Sequence, residues 1–356
     1  MPPSFQNLMS QAIRLTRVGD LKAATMAIQR ALHRTGNTDR PAATQGDVID
    51  VDAHQVTLQG FEIPADDAPP LQPVPQAPSA GRFIDGNFTE KSGTRAYKFF
   101  IPPTASNDAL PLIVMLHGCS QDADDFAAGT CMNDLARERG FYVLYPEQTR
   151  HANSSGCWNW FKHNHQARGQ GEPAILAGMA RDVMARYVID PRRVYVAGLS
   201  AGGAMAAILG DAYPDMFAAV GVHSGLPTGS ATNLPAALGV MKTGAATPAR
   251  TGATPPTIVF HGDKDTTVHP MNGERVAEAI AGRTTPDSSR ARCSNGREFT
   301  RRIYTRPDGR VVAEHWVVHG AGHAWSGGSA RGSYTDANGP NASEEMLRFF
   351  YATGAS

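Results

Sequence analysis

Apolar positions recur along the chain in two different rhythms. Phe5, Leu8, Met9, Ala12 and Ile13 follow helical spacing. Gly19 and Asp20 then stop and recap the chain, and Leu21, Ala24, Ile28, Ala31 and Leu32 form a second stripe. This pattern predicts a helical hairpin over residues 1–40. It reads as a surface appendage packing its stripe on the main domain or a partner; a lid or an oligomerisation arm is the sharper alternative. Pro64, Pro69, Pro70, Pro73, Pro75 and Pro78 crowd the next stretch. Proline lacks the amide donor that a sheet ladder needs, so 41–80 predicts an extended linker and 81–356 a separate compact domain.

From Gly81 onward the rhythm shortens. Apolar runs at 95–101, 112–116, 141–145, 194–197, 218–222, 257–260 and 311–318 predict strands. Helical spacing appears at 174–188, 201–213 and 343–351. Near-continuous apolar strands separated by helices imply an α/β fold, a mostly parallel sheet with helices on both faces. Two stretches break the alternation and predict surface excursions: 227–256, rich in Ala, Thr, Gly and Pro, and the polar 281–296.

Composition narrows the class. Of 356 residues 41% are hydrophobic, enough for a sizeable core, which excludes wholesale disorder. Lys and Arg total 33 against 33 Asp and Glu, so nucleic acid is not the expected partner, because phosphate contacts need a local basic excess. No apolar run approaches the ~20 residues of a membrane span. The first residues lack the apolar segment of a secretory leader, so the expected location is cytoplasmic, with an extracellular site as the alternative. Four cysteines, with no C-x-x-C spacing, fit neither a disulfide scaffold nor a structural zinc site. One disulfide is left open, with Cys119 and Cys157 as the candidate pair.

The sharpest chemical signal is Gly198-Leu199-Ser200-Ala201-Gly202, placed between an apolar strand and a small-residue helix. The pattern G-x-S-x-G in a strand–turn–helix setting lifts a serine hydroxyl above the sheet beside free helix amides. Serine needs a base, and the base needs an orienting acid, in the chain order Ser, acid, His. Asp263 and Asp265 follow the strand at 257–260; Asp265 sits further out and is the chosen acid, while Asp263 suits the turn. His323, in the glycine-containing loop Gly320-Ala321-Gly322-His323-Ala324-Trp325 after the strand at 311–318, is the chosen base, with His319 its rival at the end of that strand. Two amides must hold the developing oxyanion. Ala201 supplies one, and the loop His117-Gly118-Cys119-Ser120-Gln121 the other, through Cys119 first and Ser120 second; His117 reads as a brace. Trp158, within an aromatic segment after the third apolar run, and Trp325, next to His323, are the candidate substrate contacts, with Ser120 beside them.

Five ordered motifs, 116–121, 156–160, 198–203, 261–265 and 322–326, together resemble the poly(3-hydroxybutyrate) depolymerase family of esterases, related to feruloyl and acetylxylan esterases. The resemblance implies an α/β-hydrolase fold, a Ser200–Asp265–His323 triad, an oxyanion hole from Cys119 and Ala201, and hydrolysis of short hydroxyalkanoate esters. The expected partner is a small-molecule or oligomeric ester, with no cofactor and no metal required. A feruloyl or acetylxylan ester, or a peptide or thioester on the same scaffold, are the alternative substrates.

Overall fold

All seven apolar runs become neighbouring strands of one sheet. The computed structural model describes residues 80–105, 108–246 and 254–353, which belong to the unit Ala80–Ser356. The hairpin predicted over 1–40, and the linker up to residue 79, lie outside the described residues. In chain order the strands are β1 (Arg82–Glu90), β2 (Gly93–Ile101), β3 (Leu110–Leu116), β4 (Tyr142–Pro146), β5 (Ile189–Leu199), β6 (Ala219–His223), β7 (Thr257–Gly262), β8 (Asp287–Arg292), β9 (Glu298–Thr305), β10 (Val311–Val318), β11 (Trp325–Ser326) and β12 (Thr335–Asp336). The helices are α1 (Ala123–Thr130), α2 (Met132–Arg139), α3 (Gly171–Arg186), α4 (Ala201–Ala212), α5 (Leu234–Thr243), α6 (Met271–Ala281) and α7 (Ala342–Thr353).

Ten strands lie in the order β1-β2-β4-β3-β5-β6-β7-β10-β9-β8, and β11 pairs with β12 in a small second sheet. From β4 to β10 every neighbour is parallel; β1, β2, β9 and β8 extend the two edges antiparallel. Successive side chains on a strand leave on opposite faces, and the core divides accordingly. Leu112, Val114, Val194 and Val196 pack with α3, α4 and α6 through Leu176, Met179, Met205, Leu209 and Val276. Ile113, Met115, Tyr195 and Ala197 face the other way, onto Phe126 of α1, Leu135 of α2 and Leu347 and Phe350 of α7. Each such large side chain, fully buried, contributes roughly 1.5–3 kcal/mol of hydrophobic stabilisation.

The two predicted excursions contain regular structure. Residues 227–256 carry α5, capped by Asn233, whose side chain accepts from the Ala236 amide at 3.0 Å. Residues 281–296 carry β8, an edge strand with all six residues exposed. Its ladder to β9 is reinforced by Arg290 and Arg292, both paired with Glu298. A strand that buries neither face has no apolar alternation to read.

Because the central strands are parallel, their carboxyl ends open on one edge of the sheet. The loops after β3, β5, β7 and β10 all start there, which is where open α/β sheets build ligand sites.

Candidate active site

Ser200 sits between β5 and α4 with φ 57° and ψ −117°, a positive-φ conformation that costs a non-glycine residue free energy. Its amide donates to the His223 carbonyl at 2.8 Å, and its hydroxyl does not cap the helix. Gly202 lets the first turn of α4 press on β3: a Cβ there would collide with the Leu116 carbonyl oxygen. Ala201 opens α4, so its amide belongs to the first turn, where no intrahelical acceptor exists.

The loop after β3 is braced from several sides. His117 is buried; its Nε2 accepts from the Gln148 amide at 3.1 Å, so Nδ1 carries the hydrogen and donates to the Gly118 carbonyl at 2.7 Å. Burial lowers its affinity for a second proton, which keeps the ring neutral. The Gly118 amide donates to Gln121 Oε1 and the Gln121 amide to the Gly118 carbonyl. The Ser120 amide donates to the Ser155 carbonyl at 3.0 Å, which removes Ser120 as an alternative oxyanion donor. The Cys119 amide takes part in none of these bracing hydrogen bonds. A disulfide joins Cys119 to Cys157 and fastens this loop to the aromatic segment.

The two tryptophans predicted to touch substrate do not face a cleft. Trp158 is fully buried, and its Nε1 donates to the His117 carbonyl at 3.1 Å, so it backs the loop from inside. Trp325 is likewise fully buried, donating to Ser343 Oγ at 3.0 Å. Their aromatic surface is spent in the core. Ser120, by contrast, is exposed at the rim. What shapes the aromatic segment is Glu172 of α3, a buried carboxylate the sequence reading passed over. It accepts from the Asn159 amide at 2.7 Å, Asn159 Nδ2 at 2.6 Å and Gln148 Nε2 at 2.5 Å, with Arg95 at 3.4 Å. Burial pushes its carboxyl up, but His165 and the donors on Gln148 and Asn159 outweigh that and hold it below the ordinary value.

Beyond β7, Asp265 Oδ1 accepts from the Thr267 and Val268 amides at 2.9 and 2.8 Å. Its Oδ2 meets His323 Nδ1 at 2.7 Å and His261 Nε2 at 3.3 Å. Burial alone would raise this carboxyl; the imidazoles of His323 and His261 beside it reverse the sign and hold it far below the usual carboxylate range. Asp263 faces the other way, accepting from the Gly320 amide at 2.7 Å and pairing with His319 Nδ1 at 2.9 Å. The structure thus joins Asp265 to His323. It forms no hydrogen bond between Ser200 Oγ and His323, a contact that in free enzymes is often long and tightens only with substrate bound.

What ties the serine turn to the His323 loop is His223, at the end of β6. Its carbonyl accepts from the Ser200 amide, and its Nε2 accepts from the Ser326 amide at 2.9 Å, three residues past His323. Its ring stacks on Trp325 at 5.1 Å and on Phe260 at 5.7 Å. Burial first, then the neighbouring His261 and His323, drive its proton affinity well below that of a free histidine, so it stays a neutral acceptor. A histidine closing an apolar strand carries no sequence signal for this role.

The parallel sheet, the strained serine turn at its carboxyl edge and the Asp–His pair on the following strand ends define an α/β-hydrolase. The chain belongs to the Esterase PHB depolymerase family, whose model matches residues 95–292. It is 34% identical over 226 residues to poly(3-hydroxyalkanoate) depolymerase C of Paucimonas lemoignei, an alignment covering 60% of this chain and 54% of that protein. It is 33% identical over 183 residues to feruloyl esterase B of Thermothelomyces thermophilus, covering 46% of this chain and 62% of that one. The chain therefore spans about half the length of the depolymerase it matches. The solved acetyl xylan esterase from Aspergillus awamori shares the fold, with TM-score 0.61 at 19% identity over 75% of this chain and 99% of that one.

Proposed function

We propose that the chain is a serine carboxylic-ester hydrolase that works through an acyl-enzyme on short-chain esters such as hydroxyalkanoate oligomers or related polyesters. The observation that carries this reading is Ser200, held in a positive-φ turn on the same sheet edge as the 2.7 Å His323–Asp265 pair. Ser200 Oγ attacks the ester carbonyl while His323 Nε2 takes its proton. The Ala201 and Cys119 amides receive the oxyanion; one such donor is typically worth about a hundred- to a thousandfold in kcat. His323 then returns the proton to the departing alcohol, and water activated by the same imidazole frees the acid from the serine. Asp265 keeps the hydrogen on Nδ1 and stabilises the imidazolium. Every step is served by side chains and amides of the chain.

Two features support the accessory parts of this reading. Two relatives are named as a poly(3-hydroxyalkanoate) depolymerase and a feruloyl esterase, so a feruloyl ester is the second substrate class. The Cys119–Cys157 disulfide favours an oxidising, extracellular setting over the cytosol, where thiols are kept reduced. The test is Ser200→Ala assayed on p-nitrophenyl butyrate with a fluorophosphonate label in parallel. Turnover is expected to fall by roughly three to six powers of ten, and labelling to vanish, with the circular dichroism spectrum unchanged. A well-folded variant that retains wild-type turnover would falsify the mechanism.

A further inference from the structure

Tyr334 is an exposed aromatic side chain in a strained position beside the oxyanion loop. It is 45% exposed, one of three large hydrophobic residues so placed among the described residues, and its φ is 52°. A bulky residue at positive φ persists only where its surroundings over-determine it. Here they do. The Tyr334 carbonyl accepts from the Trp325 amide at 2.6 Å, two residues from His323. Its neighbour Ser333 donates through its amide and its hydroxyl to Asp125 at 2.8 and 2.6 Å. Gln121 Nε2 reaches both Ser333 oxygens at 3.2 Å, while Oε1 of the same side chain holds the Gly118 amide. One glutamine therefore fixes the Tyr334 turn and the oxyanion loop in register.

The ring ends beside that loop. Tyr334 OH lies 3.4 Å from Ser120 Oγ. Ser120 spends its single proton on the Cys119 carbonyl at 2.5 Å, so the tyrosine is the donor between the two hydroxyls. A 3.4 Å contact is a weak hold, and the phenol proton is free to turn to a better acceptor.

We propose that Tyr334 and Ser120 form a binding subsite for the ester unit next to the one being cleaved. The ring face would pack on the short alkyl part of that unit, and the phenol would donate to its carbonyl or hydroxyl oxygen. The fitting ligand is a chain that repeats an acceptor oxygen every few carbons, as a hydroxyalkanoate oligomer does. This rests on the esterase reading above and deepens it: a simple monoester engages only the serine and the two amides, whereas an oligomer also engages Tyr334.

The experiment compares the full chain with Tyr334→Phe, which removes only the hydroxyl, and Tyr334→Gly, which removes the ring and relieves the positive φ. The readout is the ratio of kcat/KM on the 3-hydroxybutyrate dimer methyl ester to kcat/KM on p-nitrophenyl butyrate. The ratio is expected to fall about tenfold in the glycine variant and about threefold in the phenylalanine variant, through KM, as loss of an aromatic contact and of one hydrogen bond would give. An unchanged ratio in both variants overturns the proposal. So does an equal fall on both substrates, which would mean that Tyr334 acts on the oxyanion loop instead. Wild-type cleavage of the monoester without the dimer also overturns it, whereas failure on the monoester itself removes the esterase reading beneath.

Discussion

Two aspartate–histidine pairs stand side by side at the ends of β7 and β10, built from the same residue types, and they finish differently. Asp263 and His319 meet at 2.9 Å, and the far nitrogen of His319 is closed off by Thr300 Oγ1, also at 2.9 Å. Asp265 and His323 meet at 2.7 Å with the aspartate side chain fully buried, and the far nitrogen of His323 makes no hydrogen bond among the described residues. The first pair is satisfied at both ends and anchors the base of the loop; the second is satisfied at one end only. Pairing orients an imidazole, but an open Nε2 is what lets it exchange a proton. His315, within β10, marks the other limit: buried, with neither ring nitrogen bonded.

Removing the open pair tests this difference most strongly. His323→Ala is expected to lower kcat on p-nitrophenyl butyrate by roughly three to six powers of ten and Asp265→Asn by about 10⁴-fold. His319→Gln and Asp263→Asn should stay within a few-fold in kcat and instead lower unfolding stability by about 1–2 kcal/mol, the cost of leaving a partly buried group unpaired. Comparable losses of turnover at both pairs would end the distinction.

A smaller effect separates the base side, held by hydrogen bonds, from the oxyanion side, held by a covalent tie. Reduction of the Cys119–Cys157 bond frees the loop whose amide serves the oxyanion. Turnover is expected to drop about tenfold with little change in KM, and Cys157→Ser should reproduce it without reductant. Insensitivity of kcat to a thiol that demonstrably opens the bond would show that His117 and Gln121 suffice.

The third test separates histidines by their surroundings. Burial pushes His315 down to about 3 from 6.5, and lowers His117 and His223 in the same direction. The native state refuses protons that the unfolded chain accepts, so stability falls as pH drops from 6.5 towards 3 and is insensitive to these groups above 6.5. The depressed carboxyl of Asp265 adds stability above 3.8 that is lost further into acid, as pH falls towards its folded value. Urea midpoints at pH 7, 5 and 4 should decline in turn; a flat series would mean that the buried rings charge in place.

Much of this arrangement is legible without coordinates, for physical reasons. Buried parallel strands have no polar face, so the runs at 112–116, 194–197 and 257–260 stand out, and the small residues around Ser200 announce a tight turn. Three things stay hidden. Sequence says that Trp158 and Trp325 are aromatic, but not that each indole N–H finds an interior acceptor, which is what turns them inward. Glu172 lies in the first turn of α3, where an acidic residue is ordinary, and only the fold brings Gln148 and Asn159 to it. Tyr334 sits in a Gly- and Ser-rich stretch whose conformation depends on contacts with residues about two hundred positions away.

The exposed strand β8 has a consequence for how the molecule meets copies of itself. Among the described residues it is the last strand on its side of the sheet, and such an edge presents backbone groups on which another chain can pair. Here that rim carries Asp287, Arg290 and Arg292, so an incoming strand would have to strip water from these charges.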